Sequence, residues 1–150
     1  MRDSYWLFGS HLRILAGAAE TGGRYDLVEG RFAAGLETPP HRHSAYSEHV
    51  YVLEGSFTVR LIGREVVLRA GDDLVIPAGE PHAVAAPDGP ARGLVVASPS
   101  GFARLVAGAG EPDDGGGPPD GPPDMERFFR ISAEIGDEIL GPPGTPLGPG

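Results

Sequence analysis

Cysteine is absent from the 150 residues, which excludes disulfide staples and thiolate chemistry together. Lysine is absent as well, so all twelve basic residues are arginine, and no arginine cluster forms along the chain. Acidic residues outnumber them at 21, for a formal net charge of −9. Nucleic acid is excluded as a partner on that balance, because phosphates demand a basic surface. Long apolar runs are also missing. The longest early one, Leu12 to Ala19, is interrupted by Arg13. It lacks the shape of a signal peptide, and no stretch approaches a membrane span. The expected compartment is the cytoplasm.

Glycine and proline, by contrast, are abundant at 40 of 150 residues, well above average usage. Much of that excess punctuates short apolar runs. Strands are predicted at 5–8, 12–16, 24–33, 48–53, 56–62, 65–69, 73–76, 82–86 and 92–98. The breaks between them carry good turn chemistry, such as Glu54-Gly55, Ile62-Gly63, Ala70-Gly71 and Pro77-Ala78-Gly79. Many short strands with tight turns predict an all-β barrel or jelly roll, and the length allows one such domain, over residues 1–107.

The remainder reads as a Gly/Pro-rich linker over 108–123, a helix over 124–140 docked on the barrel, and a tail over 141–150. Asp124 can cap that helix. Phe128, Ile131, Ile135 and Ile139 recur at steps of three and four, one apolar stripe. Gly141-Pro142-Pro143 would end it.

Of the five histidines, two form His41-x-His43. Residues two apart on a strand point to the same face, so both imidazoles can reach one point. Glu48 opens a run in which Val50 and Val52 share its face, while His49, Tyr51 and Leu53 take the other. A carboxylate at the head of an apolar inward face needs a partner, because an unpaired buried charge is expensive. A divalent metal ion would supply one. His82 follows the turn at Pro77-Ala78-Gly79-Glu80-Pro81, which can aim it back into the barrel.

These residues resemble the cupin family in two motifs. Gly35, His41, His43, Glu48 and Gly55 match Gly-x5-His-x-His-x4-Glu-x6-Gly. Gly71, Pro77, Gly79 and His82 match Gly-x5-Pro-x-Gly-x2-His, with Ala86 where the second motif ends on Asn. The resemblance implies a double-stranded β-helix, a jelly-roll barrel. It also implies one divalent transition metal ion (Fe, Mn, Ni, Co or Zn) held by His41, His43, Glu48 and His82. The longer match is similar to small one-domain cupins of quercetin 2,3-dioxygenase type. This implies an oxidoreductase acting with dioxygen on an aromatic, flavonol-like or polyketide-like enol. Beside its place as a ligand, Glu48 is read as the general base that accepts the substrate hydroxyl proton. A non-oxidative cyclase, isomerase or decarboxylase, or a metal-dependent binding module without catalysis, stays open. A homodimer is also expected.

The remaining polar and aromatic residues carry blander expectations. His49 reads as a surface or interface histidine, with a fifth ligand or an acid/base group as its alternative. Tyr46 and Tyr51 read as packing residues, His11 has no identifiable partner, and Asp113-Asp114 reads as solvated linker charge. Tyr5-Trp6-Leu7-Phe8 is either a dimer strand or core. Val50, Val52, Phe57, Val84 and Val96 are the candidate pocket lining.

Overall fold

Alternating apolar residues with few charges on one face bury that face and leave the other to solvent, which is what builds the sheets here. A computed structural model describes residues 3–148; the expectations for residues 1–2 and 149–150 lie outside the described residues. The first half of the chain contains β1 (Ser4–Leu7), β2 (Ser10–Ala16), a single helical turn α1 (Ala18–Thr21), β3 (Asp26–Phe32), β4 (His41–His43), β5 (Ser47–Glu54), β6 (Ser56–Leu61) and β7 (Arg64–Arg69). The second half adds β8 (Asp73–Ile76), β9 (His82–Ala85), β10 (Ala91–Ser98), α2 (Phe102–Ala109), β11 (Glu111–Pro112), α3 (Met125–Glu134) and β12 (Asp137–Ile139).

Among the described residues the strands form two antiparallel sheets, ordered β11-β1-β2-β3-β10-β5-β8 and β12-β4-β9-β6-β7. They pack face to face through Phe32, Val50 and Val52 of the first against Phe57, Val59 and Leu61 of the second. This is the double-stranded β-helix. A second apolar cluster joins Leu7, Leu12, Val28 and Tyr46 to the inward faces of α2 and α3. Where β5 turns into β6, Gly55 has φ of 70°, and a Cβ there would run into the carbonyl oxygen of Pro90. Gly55→Ala therefore combines left-handed strain with a backbone clash, and is expected to cost roughly 2 to 3 kcal/mol in chemical denaturation.

Three sequence expectations change, and a fourth point left open between two alternatives is decided. Helix α2 falls in a stretch read without a helix. Its N-cap position is Gly101, which has no side chain to signal a start; the cap comes instead from Asp26 on β3, whose Oδ2 accepts from both Gly101 N at 2.8 Å and Ala103 N at 2.9 Å. Second, the C-terminal helix stops at Glu134 and not at residue 140. Gly136 takes φ of 80°, and the chain re-enters a sheet as β12, so Ile139 lies on a strand. Third, the 108–123 segment is no free linker at its start. Ala109 is buried, Glu111–Pro112 pair with β1, and Asp113 accepts a hydrogen bond from His11 Nε2 at 2.9 Å. His11 thus has a partner, and Asp113 is more than solvated charge. Fourth, β1 lies between β2 and β11 with Leu7 buried. Its edge is already paired, which favours the core alternative for Tyr5-Trp6-Leu7-Phe8.

Candidate metal centre

The register of the smaller sheet brings the histidines together. On β4, His41 stands opposite His82 of β9, and His43 stands opposite Asp137 of β12. Glu48 approaches from the other sheet. On β5 it is flanked by Ala97 of β10 and Ile76 of β8, and the small alanine leaves the carboxylate room. One ligand atom from each of His41, His43, Glu48 and His82 lies within 4.8 Å of all the others. Glu48 Oε1 is 2.8 Å from His43 Nε2 and 3.2 Å from His82 Nε2. The four expected ligands are therefore adjacent, and three of them are buried.

Outer partners decide which ring nitrogen faces inward. His41 Nδ1 donates to the Pro39 carbonyl at 2.8 Å, and His82 Nδ1 donates to the Glu80 carbonyl at 2.9 Å. His43 Nδ1 donates to Asp137 Oδ1 at 2.7 Å. Carbonyl and carboxylate oxygens only accept, so each Nδ1 carries hydrogen and each neutral ring presents its Nε2 lone pair to the centre. With all three rings neutral, three Nε2 lone pairs and a carboxylate converge on one point, a site that attracts a cation. His43 Nε2 is buried and faces Glu48 Oε1 alone, at 2.8 Å.

The protonation equilibria express the same field. Burial, reinforced by His82 and His43, pushes His41 down to about 3, so its ring is neutral at pH 7. Burial also works against charge on His43, but the Glu48 carboxylate and then Asp137 overcome it and raise His43 to about 10. Glu48 is held well below the usual carboxylate range: burial opposes its charge, and His43 followed by His82 outweighs that. Without metal, a proton on His43 balances Glu48. A divalent ion would replace that proton with more charge at the same point.

A cavity of about 150 Å³ opens onto these residues. Its walls are mostly apolar, with Phe8, Phe32, Phe57, Phe102 and Phe128 contributing rings. Val50, Phe57 and Val84 line it as expected, whereas Val52 is wholly buried in the core. Val95 takes the place expected of Val96. It pairs with Val50 on the inward face, and Val96 pairs with His49 on the outward one. Ala86 is fully buried in the core cluster and does not line the cavity, so the missing Asn leaves the centre itself intact.

His49 points away from the centre, is exposed, and lies 2.6 Å from Asp73. The fifth-ligand alternative therefore fails by geometry. Tyr51 is exposed. Tyr46 is buried as a packing residue and does more: its ring stacks on His43, and its hydroxyl donates to Asp137 Oδ2 at 3.2 Å. Burial, then Glu48 and Asp137, push its hydroxyl proton strongly towards retention. Asp137 is the polar residue that sequence reasoning missed. It fell inside the predicted helix, and no local pattern connects it to a histidine 94 positions earlier.

Comparison with known proteins agrees with this geometry. The family described as Cupin domain matches residues 28–97, which contain all four clustered residues. Quercetin 2,3-dioxygenase from Bacillus subtilis is 30% identical over 123 residues, covering 82% of this chain and 36% of that protein. This chain thus spans about a third of that relative's length. The polyketide cyclase RemF from Streptomyces resistomycificus is 32% identical with a TM-score of 0.55, covering 65% of this chain and 68% of RemF. An RmlC-like cupin from Shewanella frigidimarina is 26% identical with a TM-score of 0.59, covering 67% and 86% of the two chains. The chain belongs to the cupin family.

Proposed function

We propose that the chain binds one divalent transition metal ion through His41, His43, Glu48 and His82, and acts as a dioxygenase on an aromatic or polyketide-like enol. The observation that carries this reading is the convergence of three Nε2 atoms, each with its Nδ1 tied to an outer acceptor, and one carboxylate beside an apolar cavity. The donor set fits Fe, Mn, Co, Ni or Zn. When bound, such an ion supplies Lewis acidity toward enol oxygens and, if redox-capable, a route to dioxygen.

The chain's own residues do the rest. The phenylalanine and valine walls exclude water and accept an apolar ring system, which suits aromatic substrates better than sugars or nucleotides. Glu48 is the one carboxylate among the four clustered residues and borders the cavity, so it is the group placed to take an enol proton as the substrate arrives. Similarity to quercetin 2,3-dioxygenase supports the oxidative reading. The same site on the same fold can serve other chemistry, and similarity to RemF supports a second reading, non-oxidative cyclisation of a polyketide-like substrate.

The test is elemental analysis of the purified protein, followed by oxygen uptake with flavonols and related enols after loading with each candidate metal. Oxygen consumption without added reductant, with both oxygen atoms found in the product, is expected. Product of unchanged mass without oxygen uptake would favour the cyclase. Tight binding with no product from any substrate would leave a metal-dependent binding module. The proposal also includes a homodimer in the cytoplasm; a monomer in sedimentation analysis would remove the first part. Among the described residues, no helix is long and apolar enough to cross a membrane.

A further inference from the structure

The three histidines differ in what holds their outer nitrogens. Two donate to backbone carbonyls, of Pro39 and Glu80, and one donates to a side chain, Asp137. That side chain reaches the site from outside residues 28–97, on the closing strand β12. We propose that Asp137 is a positioning residue of the metal centre, and that the C-terminal segment completes the centre instead of only covering the barrel. The inference rests on the metal-binding reading above.

Several independent contacts set Asp137 in place. The ladder pairs Asp137 with His43, Glu138 with Arg42, and Ile139 with His41. A slip of one residue would turn Asp137 to the opposite face. Gly136 pins the entry to β12, because its carbonyl accepts from Ser44 N at 3.0 Å and Ser44 Oγ at 2.7 Å. A Cβ at Gly136 would lie 2.6 Å from Ser44 Oγ, and its φ of 80° is one that side chains resist. At the other end, Leu140 N donates to the Pro40 carbonyl at 2.8 Å. Asp137 is itself buried, and Tyr46 occupies its second oxygen. Its first oxygen is thereby directed at His43 Nδ1.

A buried carboxylate on the outer nitrogen does two things to a ligating imidazole. It keeps the hydrogen on Nδ1, which leaves Nε2 free, and it makes Nε2 more electron-rich. A backbone carbonyl does the first and much less of the second. The chain thus gives His43 a stronger hold on a cation than His41 or His82, and does so with a residue nearly a hundred positions away.

Chelator competition on the full chain, with zinc and with cobalt, tests this. Asp137→Asn keeps the shape and an acceptor but removes the charge, and is expected to lower metal affinity by about 10- to 100-fold. Glu138→Gln, which breaks only the exposed 2.9 Å pair with Arg42 on the neighbouring ladder position, is expected to leave affinity unchanged. Asp137→Glu, which restores the charge, is expected to bind more tightly than the asparagine variant. The visible absorption of the cobalt-loaded protein should shift in Asp137→Asn and not in Glu138→Gln. Equal affinities for wild type and Asp137→Asn, or equal losses in Asp137→Asn and Glu138→Gln, would overturn the positioning role. A wild type that binds neither metal would overturn the metal reading beneath it. If Asp137→Asn does not fold, Tyr46→Phe removes the donor on the carboxylate's second oxygen, and an unchanged cobalt spectrum there counts against the proposal.

Discussion

Glu48→Gln is expected to lower turnover by about 10²- to 10⁴-fold, the range of a lost general base, while the protein still takes up some metal. Glutamine matches glutamate in size and keeps one oxygen for the ion, so the cavity and the three histidines stay as they are. What disappears is the negative charge and the ability to hold a proton. The measurement is kcat on whichever substrate sustains oxygen uptake, set beside metal content per chain. Turnover falling far more than metal content would assign Glu48 a role in proton transfer. Parallel loss of both would make it a ligand only, and unchanged turnover would remove it from the chemistry.

The second large effect lies away from the centre. Asp26→Ala is expected to destabilise the fold by about 2 to 4 kcal/mol, the cost of leaving two backbone donors at the start of α2 without an acceptor. Asp26 is 1% exposed and accepts from Ser100 Oγ at 2.7 Å, Gly101 N at 2.8 Å and Ala103 N at 2.9 Å. An ordinary surface N-cap is worth about 1 kcal/mol. The loss should be larger here because two backbone donors stay fixed at the start of α2 and cannot rotate towards water. Thermal unfolding should register it as a drop on the order of 10 °C. Ser100→Ala removes only the donor that can reorient, and is expected to cost about 1 kcal/mol. Equal effects from the two variants would mean that water replaces Asp26 at the helix start.

The two halves of the molecule differ in how far they could be read in advance. Within residues 28–97, strands of period two alternate with turns that announce themselves in glycine and proline. Local chemistry is decisive there, and His41, His43, Glu48 and His82 were identifiable as one cluster. Beyond Ser98 the decisive interactions are remote. Helix α2 starts at a glycine because its cap sits on β3, so no local signal marked it. The stripe Phe128, Ile131, Ile135, Ile139 has the period of a helix, yet Gly136 breaks it and the pairing of β12 with β4 claims its last member. A three-residue strand has too little pattern to compete with that periodicity, and only the free sheet edge beside β4 made it a strand.

By itself, then, the sequence determined an acidic, cysteine-free β-barrel with four candidate metal ligands in the spacing of the cupin motifs, because residue type and spacing specify same-face geometry along a strand. Tertiary structure decided what surrounds those ligands. It chose Val95 over Val96 for the cavity wall, stacked Tyr46 on His43 and brought Asp137 to His43. The physical reason is range. A strand's period acts over a few residues, whereas strand register and the burial of a carboxylate are settled only when distant segments meet.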